Sequence, residues 1–578
     1  MHSDSRYSSD ETSPLLEEVP PSYYATDNDD DGHSASEPSP PASDDHAMIR
    51  FSRADTIWIL AGLWSGVLLG ALDGTIVATL LTPIGSHFKA SNQTSYIGTS
   101  YLLSVCCFTP LYGRLADILG RKGAMLVALT LFGSGTIYCG FAPSMQALIA
   151  ARAVAGMGGG GTLIESVCTV SSIAVSDFIP LKQRGLYQGM ANILYGLGAG
   201  LGGPLGGWIN DTFGWRAAFY LQSPILLFSF FVVAIKVNIP MPLAVRQQSL
   251  SEKLRRIDVL GSVTLATTVG CLLLGFSIKT AEELPWSHPL IYGLLIASLV
   301  FGLFFVHAEK HWAPYPVMPL RLMTQRTPLA VSISNLLTSM SAFSILYNVP
   351  LYFSAVRLES AESSGFHLMP HSIAISFGSV LAGWIMRKTG KLYSLTLGSC
   401  GLTIFASILI VLWGEKSSTW HLYLDLVPQG FGMASFITST LIAMIAGVYK
   451  EDMAVATGIT YLFRTTGQVV GVSLSGALLQ AVLLQKMRTR IQGPGSSEAS
   501  RMRTTEIIPH LKPDERRAAV ESYADALRVV FLCQVAINIL AFIACLPIQE
   551  NILPATHEEQ ERHYRNQDHS DRRDTPDS

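Results

Sequence analysis

The chain is built from long apolar stretches separated by short polar connections. A helix needs about 20 mostly apolar residues to cross the ~30 Å hydrocarbon core of a bilayer. Fourteen stretches meet that need, at about 57–82, 95–114, 123–141, 146–172, 187–209, 216–236, 258–278, 290–308, 329–352, 367–386, 393–413, 421–448, 455–484 and 526–546. The expected fold class is an all-α polytopic membrane protein with 14 transmembrane helices. The first apolar run begins near Ile57, behind a long acidic segment, so it reads as a span or signal-anchor and not as a cleaved signal peptide.

Composition supports that reading. Of 578 residues, 49% are hydrophobic and only 14% charged, against about 25% charged in a typical soluble domain. The charge is also concentrated at the ends. Residues 1–48 hold twelve acids and one base, Arg6, and residues 549–578 hold eight acids and four arginines. What remains cannot coat a soluble globule, which excludes a soluble enzyme, a nucleic-acid binder and a disordered scaffold. The eight cysteines fall in apolar stretches without ligand-like spacing, so they read as small buried hydrophobes. No nucleophile triad, metal cluster, phosphate loop or cofactor fingerprint is visible; the run Gly158–Gly161 lies inside a span. The expectation is no enzyme, no cofactor and no metal.

Loop charge sets the orientation. Even-numbered loops carry Arg114, Arg121, Lys122, Lys182, Arg184, Lys236, Arg246, Lys253, Arg255, Arg256, Lys310, Arg321, Arg326, Arg387, Lys388, Lys391 and Lys450, whereas odd loops up to the eleventh carry only Lys89, Lys279, Arg357 and Lys416. Even loops and both tails are expected in the cytosol. The loop 485–525 breaks the pattern with eight Lys/Arg, tolerable because long charge-mixed loops translocate with less regard to charge. Sequons at Asn92 and Asn210 fall in odd loops, too close to the bilayer to expect a glycan. The acidic N-terminal tail is expected to be disordered from its composition, and in it Glu11 followed by Leu15 and Leu16 fits an acidic dileucine signal for an adaptor complex, or an incidental pair in a solvated tail.

Between the second and third spans the chain reads Gly113-Arg114-Leu115-Ala116-Asp117-Ile118-Leu119-Gly120-Arg121-Lys122. Glycines at both ends suit a tight turn, and Asp117 can pair with arginine or face a helix N-terminus. This run resembles the signature of the major facilitator superfamily, with Ile118 where a basic residue is common. Arg152 with Gly156 resembles the superfamily's intramembrane arginine motif. Gly200, Gly203, Pro204 and Gly207 in the fifth span resemble the motif of its antiporter branch. Leu72-Asp73-Gly74-Thr75, Trp215-Arg216 and Arg464-Thr465-Thr466-Gly467 resemble elements of 14-span drug:proton antiporters. Val170–Asp177, Pro180 and Arg184–Gly189 most resemble the fungal vacuolar basic amino-acid transporters. The resemblance implies two six-helix bundles, 55–240 and 329–548, with two inserted helices in 241–328, between tails 1–54 and 549–578. An echo of the signature, Gly383–Lys391, follows the tenth span.

Charge inside a span costs at least a few kcal/mol, so it marks function by default. Counting along the helices places Asp73 ~13 Å and Arg152 ~9 Å from the lumenal side. They could pair or exchange partners: Asp73 would bind a proton or cation while Arg152 tunes it, or the two form a static ion pair. Arg464 lies near mid-bilayer, as a second pathway charge or a partner for backbone carbonyls. Glu165 sits in Leu163–Cys168, which looks like an insertion relative to the family and makes the fourth span too long. His367 and His371, i,i+4 at the lumenal start of the tenth span, are candidates for a pH sensor or incidental interfacial residues. The expected function is proton-coupled antiport of Lys, Arg and His into the vacuole, with protons, a small-molecule substrate and the lipid bilayer as partners and no nucleic acid. The alternatives are a plasma-membrane drug:proton exporter and a non-transporting nutrient receptor.

Overall fold

The computed structural model describes residues 53–90, 93–162, 181–237, 258–281, 284–313, 316–359, 367–414, 417–449, 452–490, 508, 513–550 and 553. No strand occurs among them. The long helices are α1 (Arg53–Phe88), α2 (Thr94–Ile118), α3 (Gly120–Phe141), α4 (Met145–Thr162), α5 (Leu181–Phe213), α6 (Ser223–Lys236), α7 (Val259–Ala281), α8 (Pro289–His311), α9 (Arg326–Ala355), α10 (Met369–Thr389), α11 (Tyr393–Val411), α12 (Leu426–Ala446), α13 (Met453–Arg490) and α14 (Pro513–Cys545). Eleven helices among the described residues are long and apolar enough to cross a membrane. Those that fall short are α2, α4 and α5. The apolar run of α2 is only Tyr96–Thr109, α4 is described no further than Thr162, and glycine dilutes α5.

Helix packing repeats with an offset of eight. In the first six helices α1 packs on α5 and α6, α3 on α4 and α6, and α2 on α4. In the last six, α9 packs on α13 and α14, α11 on α12 and α14, and α10 on α12. Two seams join the groups, α5 with α10 and α2 with α13, each the image of the other under the same offset. Helices α7 and α8 pack on one another, and α7 also leans on α2 and α13.

Small residues set how closely these helices approach, as in membrane bundles generally. A Cβ at Gly202 would overlap Thr75 and the Leu72 carbonyl, one at Gly206 would overlap Thr79, and one at Gly198 the Leu68 carbonyl. These three glycines, four residues apart, form the face that α5 lays on α1. Three of the glycines in the antiporter-like motif lie off this face: among the described residues Gly200 and Gly207 have nothing within contact of an added Cβ, and Gly203 only Thr79 at 3.9 Å. Pro204 sits within α5 without ending it.

The seams are tight at the face carrying the Gly113–Lys122 turn. Along α5 and α10, Gly185 meets Gly383 backbone to backbone, Gly189 meets Ser379 and Val380, and Asn192 Nδ2 donates to Ser379 Oγ at 2.7 Å. The last glycine of this contact is Gly196, against Ser376. On the other seam an added Cβ at Gly113 would lie 3.0 Å from the Ala454 carbonyl oxygen. The two bundles are therefore closed on one another at this face.

Helix α13 has 38 residues, ~57 Å at 1.5 Å per residue, well beyond a ~30 Å core. It and α14 run into the region 485–525, which is thus not all loop. There Arg490 pairs with Asp525 at 2.9 Å and Lys486 with Asp525 at 3.2 Å. Burial would push the Asp525 carboxyl up, but the two cations outweigh it and hold it below its ordinary value. These contacts set an acid beside two of the eight Lys/Arg that made the segment anomalous.

A bulky residue at the Gly185–Gly383 crossing must separate the helices. Cysteines introduced at Asn192 and Ser379 should crosslink readily under mild oxidation in a background free of native cysteines. Adding Gly383→Val should cut the crosslink yield several-fold; an unchanged yield would refute the closed seam.

Candidate transport pathway

Asp73 on α1 is fully buried, and Arg152 on α4 is 1% exposed. Arg152 Nη1 donates to Asp73 Oδ2 at 2.8 Å. Gln222, beside the N-terminus of α6, donates from Nε2 to Asp73 Oδ1 at 3.3 Å. The Arg152 guanidinium lies over the ring of Tyr101 of α2, 4.1 Å from its centroid. Four helices thus contribute to one polar cluster. Gly156 and Gly159 of α4 make room for it: a side chain at either would run into Tyr101. Among the described residues Arg152 Nε, Tyr101 Oη and Gln222 Oε1 have no partner. The cluster therefore satisfies its charges but not its full hydrogen-bonding capacity, which suits groups that exchange partners.

Arg464 on α13 is 3% exposed. Its Nη2 donates to Asn335 Oδ1 of α9 at 3.2 Å, and its guanidinium lies 4.8 Å from the centroid of Tyr461. Arg152 and Arg464 each rest on a tyrosine face, but Arg152 faces a carboxylate and Arg464 an amide.

The turn between α2 and α3 is as tight as a chain allows. Only Leu119 separates the helices, and Gly120 has φ +78°, a conformation that favours glycine. Arg121 and Lys122 open α3, and Tyr112 Oη donates to the Met157 carbonyl at 3.0 Å. The side chains of Arg114 and Asp117 lie outside the described residues.

A family model described as Major Facilitator Superfamily matches residues 63–472. The chain belongs to that superfamily. It is 37% identical over 500 residues to "Multidrug resistance protein fnx1" of Schizosaccharomyces pombe, covering 85% of this chain and 92% of that one. It is 34% identical to "Vacuolar membrane amino acid uptake transporter fnx2" of the same organism, covering 86% and 84%. It is 32% identical to "Vacuolar basic amino acid transporter 1" of Saccharomyces cerevisiae, covering 72% and 76%. The crystal structure of the human organic anion transporter MFSD10 (TETRAN) shares the fold, with a TM-score of 0.54 at 15% identity over 85% of this chain and 98% of that one. The facilitator is a membrane transporter of small molecules.

Several residues of this facilitator differ from their sequence reading. Asp73 and Arg152 do meet, but Gln222, Tyr101 and Asn335 were not foreseen. Gln222 carries the one usable signal, an amide at the head of an otherwise apolar stretch. His367 and His371 do not share a helical face, because α10 begins only at Met369. His367 Nε2 faces Glu359 Oε2 at 3.0 Å, stacked between Phe353 and Tyr423, whereas His371 Nδ1 faces the Leu426 carbonyl. Asn210 lies in the last turn of α5 instead of a loop, with its amide on Asp211. Two of the cysteines, Cys400 and Cys545, are neighbours, Sγ to Sγ 3.6 Å. Glu165 with Leu163–Cys168, Asn92, and the Glu11, Leu15, Leu16 element lie outside the described residues.

Removing one partner of a buried ion pair costs about 3–5 kcal/mol, since the other charge stays buried, while removing both costs less. Asp73→Asn should lower the unfolding temperature of the detergent-solubilised protein by several degrees. Asp73→Asn with Arg152→Gln should recover most of that loss. Additive losses would show that the two residues do not act as a pair.

Proposed function

We propose that this facilitator is a proton-coupled antiporter that moves basic amino acids across the vacuolar membrane into the lumen, on fourteen spans with both tails cytosolic. The observation that carries the coupling is the buried Asp73–Arg152 pair. Protonation of Asp73 would remove the charge that holds Arg152, and deprotonation would restore it. Protonation would free donors of Arg152 and Gln222 that now serve the carboxylate, and deprotonation would take them up again. The substrate class is supported by likeness to relatives whose names specify vacuolar uptake of amino acids. An acidic, positive lumen would drive cations inward in exchange for protons. The Gly113–Lys122 turn would act as a cytosolic latch, closed in the state described above and released in the other. Parallel halves of this kind bind substrate near the midplane and rock about it.

The second reading is a plasma-membrane proton-coupled drug exporter, favoured by the 37% identity to a multidrug resistance protein. Location separates the two. Under the first reading Leu15→Ala with Leu16→Ala abolishes vacuolar residence, through loss of adaptor binding. A wild-type protein already at the cell surface supports the second.

Purified vacuoles should take up radiolabelled lysine, arginine and histidine in an ATP-dependent, protonophore-sensitive way. Asp73→Asn should abolish the protonophore-sensitive part while the protein remains in the membrane. Protonophore-sensitive uptake intact in Asp73→Asn would end the coupling role.

A further inference from the structure

Arg152 and Arg464 differ in one respect that the coupling mechanism does not use. Arg152 is neutralised by Asp73, but among the described residues no carboxylate pairs with Arg464. Its polar contact is a neutral amide oxygen, Asn335 Oδ1, and its flat face rests on an aromatic ring. The amide is held in that orientation, because Asn335 Nδ2 donates to the Val331 carbonyl at 2.9 Å. Among the described residues Arg464 Nε has no hydrogen-bond partner. A guanidinium has five N–H donors and stays charged at any physiological pH. A 97%-buried one with a single hydrogen bond therefore retains a full positive charge and unused donors in a low-dielectric interior, an arrangement that favours an anion strongly.

The neighbourhood supports an anion as the missing partner. The hydroxyls of Thr338 and Ser339, on the same helix as Asn335 and within about one turn of it, are buried and without hydrogen-bond partners among the described residues. Backbone contact of Gly467 with Leu336 and of Gly471 with Met340 presses α13 onto α9 next to the arginine. That contact holds the guanidinium and the hydroxyls on two fixed helices. A planar carboxylate matches the guanidinium fork, which can donate two parallel hydrogen bonds to it.

We propose that Arg464 is an anion subsite of the transport path, filled by the carboxylate of the substrate. For the basic amino acids proposed above, on which this inference rests, the ligand group is the α-carboxylate, and the side-chain cation is held elsewhere. Arg464 is then the residue that distinguishes an amino acid from the corresponding diamine.

The test compares labelled lysine with cadaverine, its analogue without the carboxylate, in vacuolar-membrane vesicles carrying wild type, Arg464→Gln or Asn335→Asp, with membrane abundance measured for each. The second variant is nearly isosteric and places a carboxylate where the amide oxygen now contacts the arginine, so it competes with the substrate inside an intact fold. Wild type should discriminate against cadaverine at least ~10-fold. Both variants should raise the KM for lysine ~10–100-fold, the worth of a charge-assisted hydrogen bond, while the Ki of cadaverine stays within ~3-fold. Lysine KM unchanged in Asn335→Asp, equal losses for lysine and cadaverine in Arg464→Gln, or a wild type indifferent to the carboxylate would each overturn the subsite. A wild type that takes up no lysine fails the proposed function itself, which is a separate result.

Discussion

Everything in this molecule is arranged around the cost of burying charge. A lone ion inside a bundle is expensive, and a pair survives only with good geometry and further hydrogen bonds. Asp73 and Arg152 meet those terms: a 2.8 Å contact, an amide from α6 on the second carboxylate oxygen, and a tyrosine face beneath the guanidinium. Glycines at Gly156 and Gly159 follow from that requirement, because Tyr101 needs the space they leave. The close α1–α5 packing is tied to the same helix, since Gly198, Gly202 and Gly206 lie against the segment of α1 that holds Asp73.

Much of this was legible in the sequence, for definite reasons. Helices announce themselves by apolar length, and intramembrane charges are few enough to be found by inspection. Counting residues placed Asp73 and Arg152 at comparable depth, so their meeting was within reach. The partners were not. Gln222, Tyr101 and Asn335 are neutral, common in such helices, and gain meaning only when a specific rotation of each helix faces them to an arginine. The glycine-rich fifth span shows the same limit. Its motif residues were evident, but which of its eight glycines touches α1 depends on helical phase, and the contact fell on Gly198, Gly202 and Gly206. His367 failed for another reason: the i,i+4 argument assumes a helix, and α10 starts two residues later.

The two halves use the same scaffold for different electrostatics. Contact partners repeat with an offset of eight helices, and an arginine over a tyrosine occurs in each half. Yet one arginine is matched by an internal acid and the other by an amide. The two bundles thus share a packing plan but divide their charges, with an ion pair in one and an arginine on an amide in the other.

The inserted helices break the symmetry of the seams in a second way. Helix α7 lies along α2 and α13 and holds the first through Cys107 on the Ala266 carbonyl and Ser277 on Thr99. Among the described residues the inserted helices make no comparable packing on the α5–α10 seam. Among the described residues one junction between bundles thus lacks inserted protein beside it, while the other has α7 packed on it. Bilayer thickness and headgroup chemistry act directly on the first junction and reach the second only through α7 and α8. The same rocking motion is solvated by fluid chains on one side and by a fixed pair of helices on the other.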